Sequence, residues 1–127
     1  MSADRLTRSG IMLKKSAGRI EVALEATRIG KDLLVVITGG AGHIGAVGTG
    51  TNCGGMAVSS VITTPGHRDD RIAKDMAERI TKMLGCNCAV VAGVHYDGIT
   101  AQEIKDVLIL SNALADELEG ALRTKGL

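Results

Sequence analysis

The feature that most constrains this chain is a change of hydrophobic period at its only proline, Pro65. Before Pro65 apolar residues recur at every second position, and after it they recur at helical spacing. Over 19–29, Ile20, Val22, Leu24 and Ala26 alternate with Glu21, Ala23, Glu25 and Thr27, the pattern of a half-buried strand. Ile29-Gly-Lys-Asp32 reads as a turn, Leu33 to Thr38 as a central strand, Ile44 to Val47 as a short third strand and Met56 to Thr63 as a fourth. Beyond the proline, Ile72, Met76, Ala77, Ile80, Met83 and Leu84 predict an amphipathic helix over 68–84 that ends at Gly85. Cys88 to His95 reads as a buried strand. Thr100-Ala-Gln-Glu103 is a capping box that opens a second helix, with Ile99 and Ile104 placed as its hydrophobic staple. That helix turns Ile104, Val107, Leu108, Ser111, Leu114, Ala115 and Leu118 toward the sheet. Ile109 and Leu110 lie off the stripe and point to a subunit contact, hence to a homodimer. The expected architecture is α/β (α+β), a single mostly antiparallel sheet in the order β-β-β-β-α-β-α with two helices packed on it.

A chain of 127 residues fits one domain, and 45% hydrophobic residues suffice for a core. Phe and Trp are absent and Tyr96 is the only aromatic, so the chain lacks platforms for stacking a base or a flavin ring. The net charge of +1 favours no nucleic acid partner. Charge is unevenly placed, however. Residues 1–19 hold Arg5, Arg8, Lys14, Lys15 and Arg19 against Asp4 alone, leaving ten basic and thirteen acidic residues elsewhere. We therefore expect a mobile basic arm over 1–17 ahead of a single domain over 18–127. The purest apolar run, Leu33 to Ile37, is too short to cross a membrane. Three cysteines cannot all pair within one chain, and Cys86 and Cys88 fall in a strand-like run as buried thiols, which suits a reducing cytoplasm.

If the first four strands form a meander, their directions alternate, and the end where the second strand finishes can be called the top. The 39–43 turn, the Thr64-Pro-Gly-His67 turn and the end of the last strand at His95 then share that end. His43, His67 and His95 are thus expected on one rim. The helix beginning near Arg68 directs its free N–H groups and positive dipole end to the same place, which suits an anion, with phosphate the economical choice. Thr64, Gly66, His67 and Arg68 surround that terminus, and glycines at 39, 40, 42 and 45 are expected to let backbone approach a ligand closely. The candidate binding residues are Gly39, Gly40, His43, Gly45, Thr64, Gly66, His67, Arg68 and His95. Alternatively, His43, His67 and His95 could ligate a divalent transition metal, alone or bridging a phosphate. Gly40-Ala-Gly-His-Ile-Gly45 matches a dinucleotide fingerprint, but no helical stripe follows it and no acid stands twenty positions on.

Asp32-Leu-Leu-Val-Val-Ile-Thr-Gly-Gly40 leading into His43-Ile-Gly-Ala-Val47, then Thr64-Pro-Gly-His67, then Gly93-Val-His-Tyr-Asp-Gly-Ile-Thr100, resemble the LpdD-like prenylated-flavin chaperone domain. The similarity spans about residues 18–120. It implies a fold related to the small proteasome-assembly chaperones and a role as accessory protein of a UbiD-type decarboxylase, such as gallate decarboxylase. It also implies binding of prenylated FMN through its phosphate, for delivery to or protection for the decarboxylase large subunit, with no catalysis of its own. A protein-binding assembly chaperone without cofactor and a small metal-dependent enzyme remain as alternatives. Asn52-Cys-Gly-Gly55 and the basic arm fall outside the resemblance, and their roles are open.

Overall fold

A computed structural model of the chain describes residues 10–64 and 69–124. In chain order the elements are β1 (Gly10–Ala17), β2 (Ile20–Ile29), β3 (Asp32–Gly40), β4 (Ala46–Cys53), β5 (Met56–Thr63), α1 (Asp70–Leu84), β6 (Cys88–His95) and α2 (Ala101–Thr124). The six strands form one sheet in the order β1-β2-β3-β6-β4-β5. Every neighbouring pair is antiparallel except β3 and β6. The class is as expected, a mostly antiparallel sheet with two helices, but two details of the sheet differ.

The first is β1. The arm expected over 1–17 is strand from Gly10 onward, in register with β2 from Gly10↔Thr27 to Ala17↔Ile20. Ile11, Leu13 and Ala17 alternate and pack against the core, while Lys15 pairs with Glu117 of α2 at 3.3 Å. The basic side chains hid a period of two. Residues 1–9 lie outside the described residues.

The second is strand order. The first four expected strands do not form a continuous meander, because β6 enters between β3 and β4. It pairs parallel to β3 (Val35↔Val90, Gly40↔His95) and antiparallel to β4 (Ala46↔Ala92). A buried parallel partner suits β6, whose Cys88, Val90 and Ala92 are covered on the helix side.

Both helices cover one face. Ile20, Val22, Leu24, Val35 and Ile37 are buried in one cluster with Leu114 and Leu118 of α2 and Ile72, Met76 and Ile80 of α1. α1 ends at Gly85, whose left-handed backbone (φ 67°) sends its N–H to Thr81 O at 2.9 Å. The capping box forms: Glu103 N–H donates to Thr100 Oγ1 and Thr100 N–H to Glu103 Oε1, both at 3.1 Å. The α2 stripe is shifted from expectation. Leu110 is buried and Ile104 is 45% exposed, so Leu110 belongs to the core and only Ile109 stays outside. The apolar stripe is wide enough to take Leu110 beside Ser111 and Leu114.

Asn52-Cys-Gly-Gly55 closes the β4–β5 hairpin, with Gly54 and Gly55 at φ 59° and 90°, where other residues would be strained. Asn52 accepts the Gly55 N–H and donates its amide to Gly85 O at 2.9 Å, pinning the hairpin to the end of α1.

Candidate functional site at the sheet rim

β3 and β6 end together, since Gly40 pairs with His95 and Ala41 N–H donates to His95 O at 3.0 Å. Because β6 occupies the place beside β3, the chain must cross the end of β6 to begin β4. It does so in residues 41–45, and Gly45 N–H re-enters the ladder at Ala92 O, 2.9 Å away. The crossing presses His43 backbone onto Gly93, where a Cβ would lie 1.6 Å from His43 O. β5 ends at the same level, and Thr64 ties it down by donating both N–H and Oγ1 to Gly45 O, at 2.8 and 2.9 Å.

The detour leaves Val94 N–H without a strand partner. Asp69, just ahead of α1 and 6% exposed, fills the gap: its Oδ1 accepts Val94 N–H at 3.1 Å. Its Oδ2 lies 3.6 Å from His43 Nε2, while His43 Nδ1 is 3.2 Å from Ala41 O. The imidazole is therefore held between a carboxylate and a carbonyl. Its ring meets that of His95 edge-on, with centroids 6.3 Å apart. His95 Nε2 is in turn 3.1 Å from Asp97 Oδ1. Asp69 makes no side-chain cap to α1, so the amides of the first turn are not closed off by that carboxylate.

A clamp braces the end of β6. Tyr96 hydroxyl donates to Glu21 O and accepts from Glu21 N–H, both at 2.8 Å. Arg19 lies over the Tyr96 ring, donates to Asp97 O at 3.0 Å and grips both oxygens of Glu103 at 2.7 and 3.0 Å. That guanidinium, helped by the Thr100 N–H, holds the Glu103 carboxyl down at about 2.

Of the residues named from sequence, the structure brings His43, His95, Gly39, Gly40, Gly45 and Thr64 to one rim. Gly66, His67 and Arg68 lie outside the described residues. The glycines differ from expectation in one respect: the close approach they permit is taken by the chain itself. A Cβ would lie 2.7 Å from Glu21 O at Gly39, 2.1 Å from His95 O at Gly40 and 2.0 Å from Asp69 Oδ2 at Gly45. Asp69, Asp97, Arg19 and Tyr96 were missed. Only Asp69 carried a signal, as an acid preceding a helix, and its actual partner is set by a strand detour that sequence does not display. Among the described residues, no three His, Cys, Asp or Glu side chains are grouped to hold a metal ion.

Residues 16–123 match the family described as the prenylated flavin chaperone LpdD-like domain. The chain belongs to this family. It is similar to Protein LpdD of Lactiplantibacillus plantarum, with 34% identity over 96 residues, 71% of this chain and 68% of that protein. The fold is also that of a chain from a chaperone complex for yeast 20S proteasome assembly, with a TM-score of 0.63 at 14% identity, over 90% of this chain and 98% of that one. The LpdD-like match takes in the whole rim and both helices up to Arg123, and it leaves out all of β1 before Ser16.

Proposed function

We propose that this LpdD-like chain is a non-catalytic chaperone that binds prenylated FMN through its phosphate at the rim and delivers it to, or guards it for, a UbiD-type decarboxylase. The observation that carries this reading is the arrangement at the rim. The N-terminus of the 15-residue helix α1, uncapped by Asp69, opens beside the paired imidazoles of His43 and His95 in a prenylated flavin chaperone fold. Gly66, His67 and Arg68, which precede Asp69 and α1 in sequence, are the further anion contacts of this proposal. His43, fixed by Asp69, presents its ring at low entropic cost. A metal bridging the phosphate draws no support from the described residues. Three free thiols fit a reducing cytoplasm, and no helix among the described residues is long and apolar enough to cross a membrane.

Protein loaded anaerobically with prenylated FMN and mixed with the apo-decarboxylase tests the role. Faster recovery of decarboxylase activity than with free cofactor is expected. Recovery no faster than with free cofactor would dismiss delivery.

The homodimer contact, expected at Ile109 and Leu110, moves with the burial of Leu110. We place it on β5, where Met56, Val58 and Ile62 are exposed in a strand with no charged residue, neutral toward a copy of itself. Sedimentation of Ile62→Asp against wild type checks this: a dimer that survives the substitution refutes the placement.

A further inference from the structure

The face of the sheet turned away from the helices carries an open depression of about 510 Å³ that runs up to the 41–45 crossing and includes Lys14, Ala23, Thr38, Gly40 and Gly42, with the carboxylate-bearing Glu21 beside them. Its size falls in the range of small-molecule sites. The register explains its shape. Lys14 pairs with Ala23, Ala23 with Thr38 and Thr38 with Gly93, so these four form one row across β1, β2, β3 and β6. Side chains in such a row share a face. The two middle members are small, and Gly93 carries the backbone of His43 on top of it. The row is therefore a flat floor, with an ammonium at one end and the rim histidines at the other. It spans three strand spacings, about 14 Å.

The two neighbouring lysines of β1 have separate fates. Lys15 points to the helix side and pairs with Glu117. Lys14, on the open face, has no ion-pair partner among the described residues. Edge-strand lysines commonly guard against sheet-to-sheet pairing, but Lys14 also stands at the end of a floor that leads to the proposed phosphate site. It precedes the residues matched to the LpdD-like family, so the family assignment gives it no role.

We propose that this floor takes the ring system of the flavin, with the Lys14 ammonium against the carbonyl-bearing pyrimidine edge. The inference rests on the rim reading above. A flat, small-residue floor accommodates a fused planar ring in a chain whose single aromatic, Tyr96, is committed to Glu21 backbone. The pyrimidine edge bears two carbonyl oxygens, which accept hydrogen bonds from the Lys14 ammonium, while Glu21 on the same face keeps the floor from acting through net positive charge alone. The ribityl chain then leads along the crossing toward His43 and the start of α1. Binding on an open sheet face leaves the opposite side of the ring accessible, as a carrier that must surrender its cargo requires.

Anaerobic titration of wild type, Lys14→Met, Lys14→Arg, Lys15→Met and Ala23→Leu with reduced prenylated FMN, followed by flavin absorbance, tests the placement. Thermal melting reports whether each variant is folded. Lys14→Met is expected to weaken binding about tenfold, the loss of one charged hydrogen bond. Lys14→Arg should restore most of it, Ala23→Leu should weaken it by filling the floor, and Lys15→Met should leave it unchanged. Wild-type affinity in both Lys14→Met and Ala23→Leu would put the ring elsewhere while leaving the rim reading intact. Equal losses for Lys14→Met and Lys15→Met would reduce the effect to general charge and overturn the contact. If wild type binds no flavin, the rim reading falls and this inference with it.

Discussion

The two helices lie on the same face of one sheet, yet their seats are opposite in kind. α2 rests on large aliphatic side chains, with Ile20, Val22 and Leu24 completely buried beneath Leu114 and Leu118. Over β4, α1 rests on bare backbone. Gly48 and Gly50 of β4 face it, and Cβ atoms there would lie 2.4 Å from Ala73 O and 2.4 Å from Ala77 O. Ala73 and Ala77 are themselves one helical turn apart and fully buried. A strand of alternating glycine and a helix of i, i+4 alanine thus bring two backbones together. The consequence is felt at the rim. Only a helix seated this low places Asp69 against Gly45 and within reach of Val94 N–H and His43. Gly48 and Gly50, which the sequence does not single out for a ligand, build the site from below by setting the depth of the helix that supplies it.

A pair of substitutions, one under each helix, has the largest expected effects and breaks this contrast directly. Gly48→Ala inserts a methyl against helix backbone that cannot rotate away, and should cost about 1–3 kcal/mol by overpacking. Because α1 must lift, flavin binding at the rim should weaken too. Leu118→Ala should cost a comparable or greater amount, about 2–5 kcal/mol, through a cavity under α2, but leave flavin affinity at the rim unchanged. Denaturant unfolding and flavin titration of the two variants separate the seats. Equal loss of flavin affinity in both, or none in either, would erase the distinction between them.

Much of the fold was legible because it follows from local pattern. The change of period at Pro65, the Thr100–Glu103 box and the stop at Gly85 each have a short-range cause, and each appears in the structure. The convergence of His43 and His95 was legible for a subtler reason. It depends on strand direction and not on strand order, so inserting β6 between β3 and β4 left both histidines at the top. The order itself was hidden, since pairing Val35 with Val90 is a contact between segments far apart in sequence whose apolar runs would suit several neighbours. β1 was hidden because Lys14 and Lys15 masked its alternation. Leu110 was misplaced by drawing the helical stripe too narrowly. The partner of Asp69 was hidden, because the donor it satisfies exists only where the crossing interrupts the ladder.

A smaller effect concerns the clamp that joins the β1–β2 turn to the start of α2. The folded Glu103 carboxyl titrates at about 2, against an ordinary 4.5, chiefly through its hydrogen bond to Arg19. A lowered folded value means that the stabilisation is fully present above about 4.5 and disappears as pH falls toward 2. The pair is solvent-exposed, so the contribution is small and weakened by salt. Glu103→Gln should flatten the part of the stability profile between pH 4.5 and 2. Identical acid sensitivity in wild type and Glu103→Gln over that window would show that the clamp contributes nothing there.

The central claim is that the rim holds the flavin by its phosphate, and the most direct measurement compares prenylated FMN with the same prenylated flavin lacking the phosphate. Equilibrium titration of wild-type protein under anaerobic conditions should show the phosphorylated form bound about ten to a hundred times more tightly, the range expected from one charged hydrogen-bonded contact. In His43→Ala that preference should shrink while the dephosphorylated flavin binds as before. Equal affinity of wild type for the two flavins would contradict a phosphate site at the start of α1.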